Sequence, residues 1–142
     1  MTLTFGVAVT READDWVVSV RDLPEVVTSG ASLEEALALA TDAIEVVVAG
    51  RMDDDEPLPD PTAVLPGEHA VPLPAGLAAK AAVYVAWKAS GLRKTELAQR
   101  LARDESVVRR ILDPRHGTKL EHLDEAARAL GGRLVVSFEP AA

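Results

Sequence analysis

The 142-residue sequence has no cysteine. A disulfide framework and a thiolate metal site are therefore excluded, and a reducing cytoplasm is permitted. Histidine is nearly as scarce. His69, His116 and His122 are scattered and none stands in an H-E-x-x-H spacing, so neither a metal centre nor a cofactor is expected. The first residues, MTLTFGVAVTREADD, alternate in polarity and lack the basic start and apolar run of a signal peptide. Elsewhere the apolar helical stretches are interrupted well short of the roughly 18 residues that cross a bilayer. These absences predict a soluble, cytoplasmic protein with no membrane partner. A two-metal nuclease needs several carboxylates converging on Mg²⁺. Asp14, Asp15 and Asp22 lie in or beside turns with nothing that makes them converge, so no catalytic residue is expected.

Positive charge is almost missing from one half of the chain. Residues 1 to 66 carry three basic residues (Arg11, Arg21, Arg51) against 14 acidic ones, whereas residues 67 to 142 carry 12 against 9. Between Lys88 and Lys119 nine basic residues face four acidic ones. The whole-chain charge of −8 would argue against nucleic acid, but it averages two unlike halves. The acidic half suits a basic protein partner, and the basic half suits phosphate. Two domains are predicted, 1–74 and 75–142, the first ending in a connector over 53–74. That connector opens on the acid run Asp53-Asp54-Asp55-Glu56 and holds six prolines, a composition that makes a semi-rigid extended segment.

The basic half centres on KTELAQRLARDESVVRRILD, residues 94–113. Leu97, Ala98 and Leu101 share one helical face; Val108, Ile111 and Leu112 share another. Between them Asp104 is a good N-cap, with a carboxylate placed to accept the free N–H groups that follow. Small Ala98 permits a close crossing, so the pattern reads as a helix-turn-helix whose second helix enters the major groove. Its outward residues are Glu105, Ser106, Val107, Arg109 and Arg110, with the two arginines as candidate base readers. Lys94, Thr95, Arg115, His116 and Lys119 flank them as candidate DNA contacts, mainly to phosphate. An amphipathic hairpin with a merely solvated arginine face would look the same. Ala102 stands where such a turn usually opens with Gly, and Arg103 where an apolar residue is usual; Ala102 must then adopt a conformation that suits Gly better. Arg103 is expected to lay its stem over the core with its head in solvent.

Upstream, Leu3, Phe5, Val7 and Val9 alternate with small polar residues, predicting a strand; Trp16 to Val20 forms a second and Val26 to Thr28 a third. Ser32 and Glu35 form a capping box for a helix to about Ala49, with Gly50 just past its end and Leu33, Leu37, Ala40, Ile44 and Val47 or Val48 facing the sheet. His69 to Val71 suits a short edge strand, since edges tolerate proline. Leu77 to Ser90 is a helix closed by Gly91, Leu120 to Leu130 another, and Arg133 to Phe138 a final strand. That strand needs a partner for its backbone groups, either the N-terminal sheet or a twofold mate in a homodimer. The fold class is α+β, a β-β-β-α(-β) domain followed by a helical one ending in a short strand.

Two segments, WVVSVRDLPEVVTSGASLEEALALATDAIE and LDPRHGTKLEHLDEAARALGGRL, carry a wider likeness. With the order of elements around them, the chain resembles the HicB antitoxin family over nearly its whole length. It departs at Glu25 and Val26, where many members have Gly-Cys. The resemblance implies a partial ribonuclease H-like fold without catalysis in residues 1 to about 74. It also implies a partner, the HicA toxin, a small basic ribonuclease that cleaves messenger RNA and is blocked by this domain. The C-terminal domain would bind the operator of its own operon as an oligomer. Trp16, Asp22 and Glu25 are the candidate toxin contacts. A stand-alone transcription regulator, with a first domain that senses a protein or small ligand, is the alternative reading.

Overall fold

The computed structural model describes residues 2–141. Strand β1 (Thr4–Glu12) and β2 (Asp15–Val20) form a hairpin whose register pairs Val7 with Val20, Val9 with Val18 and Arg11 with Trp16. The two-residue connection is Ala13-Asp14, and Ala13 takes a left-handed φ of 53°, the sign that matches the twist of a two-residue hairpin. β3 (Val27–Gly30) adds to β2, and β4 (His69–Pro72) adds to the other side of β1, giving the antiparallel order β3-β2-β1-β4. The short edge strand expected from His69-Ala70-Val71 is therefore present.

One face of this sheet is covered by α1 (Leu33–Asp53). Paired residues of antiparallel strands share a face, so Phe5, Val7, Val18 and Val20 gather on one side, where they are buried. They meet a stripe on α1 with a spacing of four: Ala36, Ala40, Ile44, Val48 and Met52. Leu33, Leu37 and Val47, expected to face the sheet, are only half-buried. Each fully buried Val or Ile here stabilises by about 1.5–3 kcal/mol. Gly30 lets the helix approach: a Cβ there would lie 2.6 Å from the Ala36 backbone nitrogen. Ser32 Oγ accepts from the Glu35 N–H at 3.1 Å, as the capping box requires. The return bond differs by one residue, since the Glu35 carboxylate accepts from Ala31 rather than from Ser32.

The helix does not stop before Gly50. It continues to Asp53 because two side chains beyond the glycine have tertiary partners: Met52 is buried, and the Arg51 guanidinium forks onto Glu25 at 2.7–2.9 Å. The chain then turns through Asp55, which holds a left-handed φ of 53°. The connector is irregular over 57–67 but is not free. The Asp22 carboxylate accepts from the Thr62 N–H at 2.9 Å, and Arg21 donates to Thr62 Oγ1, the Ala63 carbonyl and Glu68.

Four helices follow: α2 (Ala75–Ser90), α3 (Lys94–Leu101), α4 (Glu105–Leu112) and α5 (Leu120–Ala129). Gly91 closes α2 in the left-handed conformation, φ 70°, as expected. Val83, Tyr84, Leu97, Val108, Leu123 and Ala126 are buried among these helices, in one apolar cluster with the core under the sheet. The Tyr84 hydroxyl donates to the Glu56 carbonyl at 2.6 Å, tying α2 to the end of α1. Burial, then the nearby charges of Asp55 and Glu56, push that hydroxyl up to about 12.

The final strand predicted over 133–138 is not formed. The four-stranded sheet does not include it, and a strand without a neighbour cannot satisfy its backbone groups. The Leu134 N–H is instead held by Asp124 at 3.0 Å, while Val135, Val136 and Phe138 are 76%, 76% and 89% exposed.

Gly50 sits inside a helix with open space where a Cβ would go. Replacing Gly50 with Ala is expected to stabilise the fold by about 0.5–1 kcal/mol. The check is a urea titration, in which the midpoint rises at unchanged slope.

Candidate nucleic-acid interface

Helices α3 and α4 are each eight residues long and are joined by Ala102-Arg103-Asp104. The apolar pattern packs them as expected: Leu97, Ala98, Val108, Ile111 and Leu112 are buried, and Leu101 is half-buried. Ala102 does adopt the left-handed conformation, φ 51° and ψ 44°, that the missing glycine would have accommodated more easily. Its N–H donates to the Gln99 carbonyl and that of Arg103 to the Ala98 carbonyl, closing α3. Asp104 occupies the N-cap of α4, but its carboxylate accepts no cap bond; the Val107 N–H bonds its backbone carbonyl instead. Arg103 does not end in solvent alone, since its guanidinium reaches Glu125 on α5 at 3.2 Å.

On the outer face of α4, Ser106, Arg109 and Arg110 are exposed and Glu105 and Val107 half-buried. Arg109 is paired one turn back with Glu105 at 2.9 Å. Arg110 has no ion pair among the described residues, and it lines an open groove of about 330 Å³ with Val107, His116, Lys119 and His122. His116 Nδ1 lies 2.9 Å from Thr118 Oγ1. Lys119 stands at the N-cap of α5.

The other flank is different. Lys94, Arg109 and Arg115 line a second depression of about 290 Å³, together with Asp53 and Asp55 from the end of α1. Lys94 Nζ is 3.4 Å from Asp55 and 5.5 Å from the Trp87 ring centroid, and Arg115 is hydrogen-bonded to Asp53. Asp53 raises the Arg115 guanidinium above its ordinary value. Thr95 is exposed beside Lys94. Of the expected DNA contacts, Val107, Arg110, His116 and Lys119 thus line an open groove and Lys94, Arg109 and Arg115 an acid-covered flank, while Thr95, Glu105 and Ser106 line neither.

A residue that pattern reading passed over supports this surface from behind. Lys80, on α2, is only 4% exposed, and its Nζ donates to the Arg110 and Ile111 carbonyls and to Thr118 Oγ1 at 2.9, 3.0 and 2.8 Å. It fills the free carbonyl end of α4 with a cation, where the helix dipole favours one. Burial nevertheless pushes the amine down to about 8, with Asp113 pulling the other way. The signal was available: in LAAKAAVYVAW, Lys80 stands one and two turns before the apolar residues Tyr84 and Trp87.

The candidate protein contacts are not gathered into one place. Trp16 is half-buried near the start of β2, with the Arg11 guanidinium 5.3 Å from its ring centroid. Asp22 and Glu25 lie beyond the other end of that strand, and both are engaged within the chain, by Thr62 and Arg51. The turn they occupy is tight despite the absence of Gly-Cys: the Leu23 N–H bonds Val20 and the Val26 N–H bonds Leu23, with both Leu23 and Val26 buried. A backbone N–H and the Arg51 fork together hold the Glu25 carboxyl below its usual range.

A family model described as a HicB-like antitoxin of bacterial toxin-antitoxin systems matches residues 4–82. This chain belongs to the HicB-like antitoxin family. The matched stretch spans the sheet, α1, the connector and the first half of α2. Similarity to individual HicB proteins runs further. The chain is 36% identical to antitoxin HicB 1 of Photorhabdus laumondii over 90% of this chain and 81% of that protein. It is 35% identical to antitoxin HicB of Pseudomonas fluorescens over 96% and 94%, and 30% identical to that of Escherichia coli K12 over 84% and 86%. Among the described residues of this HicB-like chain no helix is long and apolar enough to cross a membrane.

Two expectations follow for the helical pair. Ala102→Gly relieves the left-handed strain and should stabilise by about 1 kcal/mol, read as a higher urea midpoint. For Lys80, the unfolded chain keeps its proton up to the ordinary value near 10.5, whereas the folded chain releases it near 8. In that window the unfolded state binds more protons, so Lys80 makes stability climb with pH. Lys80→Met should remove that contribution and, by taking the buried Ile111 carbonyl's donor away, cost about 1–3 kcal/mol at neutral pH. A climb of the same size in the variant would clear Lys80 as its source.

Proposed function

We propose that this protein is a non-enzymatic, cytoplasmic antitoxin with two roles divided between two domains. Residues 1–74, a partial ribonuclease H-like domain, bind and occlude a small basic HicA-like toxin that cleaves messenger RNA. Residues 75–142 use α3 and α4 as a helix-turn-helix that binds operator DNA and represses the protein's own operon. The observation that carries the reading is the relationship to proteins named antitoxin HicB over 84–96% of this chain. Charge supports the division, because the acidic half suits a basic partner and the basic half a phosphate backbone. In the first domain Trp16 is the candidate toxin contact whose side chain has no hydrogen bond among the described residues, whereas Asp22 and Glu25 must exchange their internal partners to serve.

At the DNA, Arg110 is the leading base reader, since it is exposed and has no ion pair among the described residues. Arg109 reads after releasing Glu105, and Ser106 and Thr95 add polar contacts. Lys94, Arg115, His116 and Lys119 hold phosphates, and so fix register without reading sequence. The exposed segment of Val135, Val136 and Phe138 supplies a strand for a twofold mate, so the binding species is a homodimer.

Co-purification from the native host should bring down a small basic protein in fixed ratio. If nothing co-elutes while the protein still binds its own promoter, the antitoxin reading yields to a stand-alone regulator. In a gel shift on promoter DNA, Arg110→Ala and Arg109→Ala should each weaken binding by about 1–3 kcal/mol while leaving the protein partner bound. Unchanged shifts with both variants would rule out α4 as the reading helix.

A further inference from the structure

The acidic run Asp53-Asp54-Asp55-Glu56 is sequence-distant from α3 and α4, yet the fold brings Asp55 to the start of α3 and Asp53 to the loop after α4. Asp55 is 3.4 Å from Lys94, and Asp53 is bonded to Arg115, across 39 and 62 residues of chain. The delivery is structural, not a chance encounter of long side chains. α1 runs through Gly50 to Asp53; Asp55 is turned by its left-handed backbone, and the Glu56 carbonyl is clamped by Tyr84. Arg109 lines the same depression. Two cations, Lys94 and Arg115, are therefore each held by a carboxylate, while Arg109 beside them pairs with Glu105. The four side chains of the two ion pairs remain between 33% and 64% exposed, so a competing anion can reach them.

We infer that the acid end of α1 is an internal competitor for nucleic-acid phosphate, closing Lys94 and Arg115 until a nucleic-acid backbone displaces Asp53 and Asp55. This rests on the reading of α3 and α4 as a DNA-binding pair and adds a built-in restraint to it. Exposed ion pairs of this kind are individually weak, so the restraint lowers affinity without abolishing binding. It also has a distinctive salt signature. A cation that contacts DNA normally releases one condensed counterion, but a cation taken from an internal carboxylate leaves that carboxylate to recruit an ion of its own. Net ion release is thereby reduced by up to about one per pair.

The test uses the full-length protein and a fluorescent duplex of random sequence, because phosphate competition needs no operator. Asp53→Asn with Asp55→Asn removes both carboxylate charges and keeps the fold, since asparagine tolerates the left-handed conformation at 55 as well as aspartate does. A charge-matched control, Asp14→Asn with Asp42→Asn, makes the same change of net charge at positions without an ion pair among the described residues. The first pair should raise affinity about 3- to 10-fold at low salt and steepen the slope of log K against log salt by up to about two; the control should do less and leave the slope alone. Arg115→Ala should then weaken binding more in the Asp53/Asp55 variant than in the parent. If the two double variants behave alike while the parent binds DNA, the competitor is refuted and the DNA-binding reading stands. If neither the parent nor any variant binds the random duplex at low salt, the competitor is refuted, and the gel shift on promoter DNA decides the DNA-binding reading separately.

Discussion

Everything in this fold depends on the stripe of buried apolar residues at every fourth position of α1. Ala36, Ala40, Ile44, Val48 and Met52 lie in one row along the sheet, and small residues at the near end let the helix come close over Gly30. Because the row continues through Met52, burial outweighs the modest intrinsic cost of Gly50, and the helix gains one more turn than its local propensity would grant. That turn brings Arg51 to Glu25 on one side and Asp53 to Arg115 on the other. A single hydrophobic register thus determines where the acidic half of the chain meets the basic half.

The elements that local chemistry specifies were legible. Alternation in β1 and β2, the Ser32 cap, Gly91 in its left-handed conformation and the two apolar faces of α3 and α4 are all short-range signals, and the fold honours them. Departures arise where the deciding partner is far away. Gly50 reads as a stop until Met52 and Arg51 are seen to have partners. Asp104 is well placed as a cap, yet its carboxylate makes no cap bond, because the Val107 N–H it would take is bonded to its own backbone carbonyl. Arg133 to Phe138 has the pattern of a strand but no neighbour in its own chain to pair with.

The site was less legible than the fold, for a related reason. Exposed cations can be recognised as a basic surface from sequence, but which anions they face is a tertiary fact. Nothing near Lys94 or Arg115 in sequence announces Asp55 or Asp53. Lys80 is the opposite case, a charge inside an apolar run whose meaning depends on the end of another helix arriving above it. Its three bonds join α2, the last turn of α4 and the loop before α5, so the arginine-bearing helix and the loop carrying Arg115 and His116 are seated as one piece.

Trp87 gives this arrangement an optical handle. Its indole is buried, its Nε1 finds no hydrogen-bond partner among the described residues, and the ammonium groups of Lys88 and Lys94 stand 5.6 and 5.5 Å from its ring centroid. The chain's other tryptophan, Trp16, lies in the sheet under Arg11. A cation held over an indole perturbs its excited state, so the intrinsic fluorescence of Trp87 is coupled to whether Lys94 lies over the ring or has swung out toward another anion. The molecule therefore carries its own reporter for the junction between its acidic and basic halves, with no label attached.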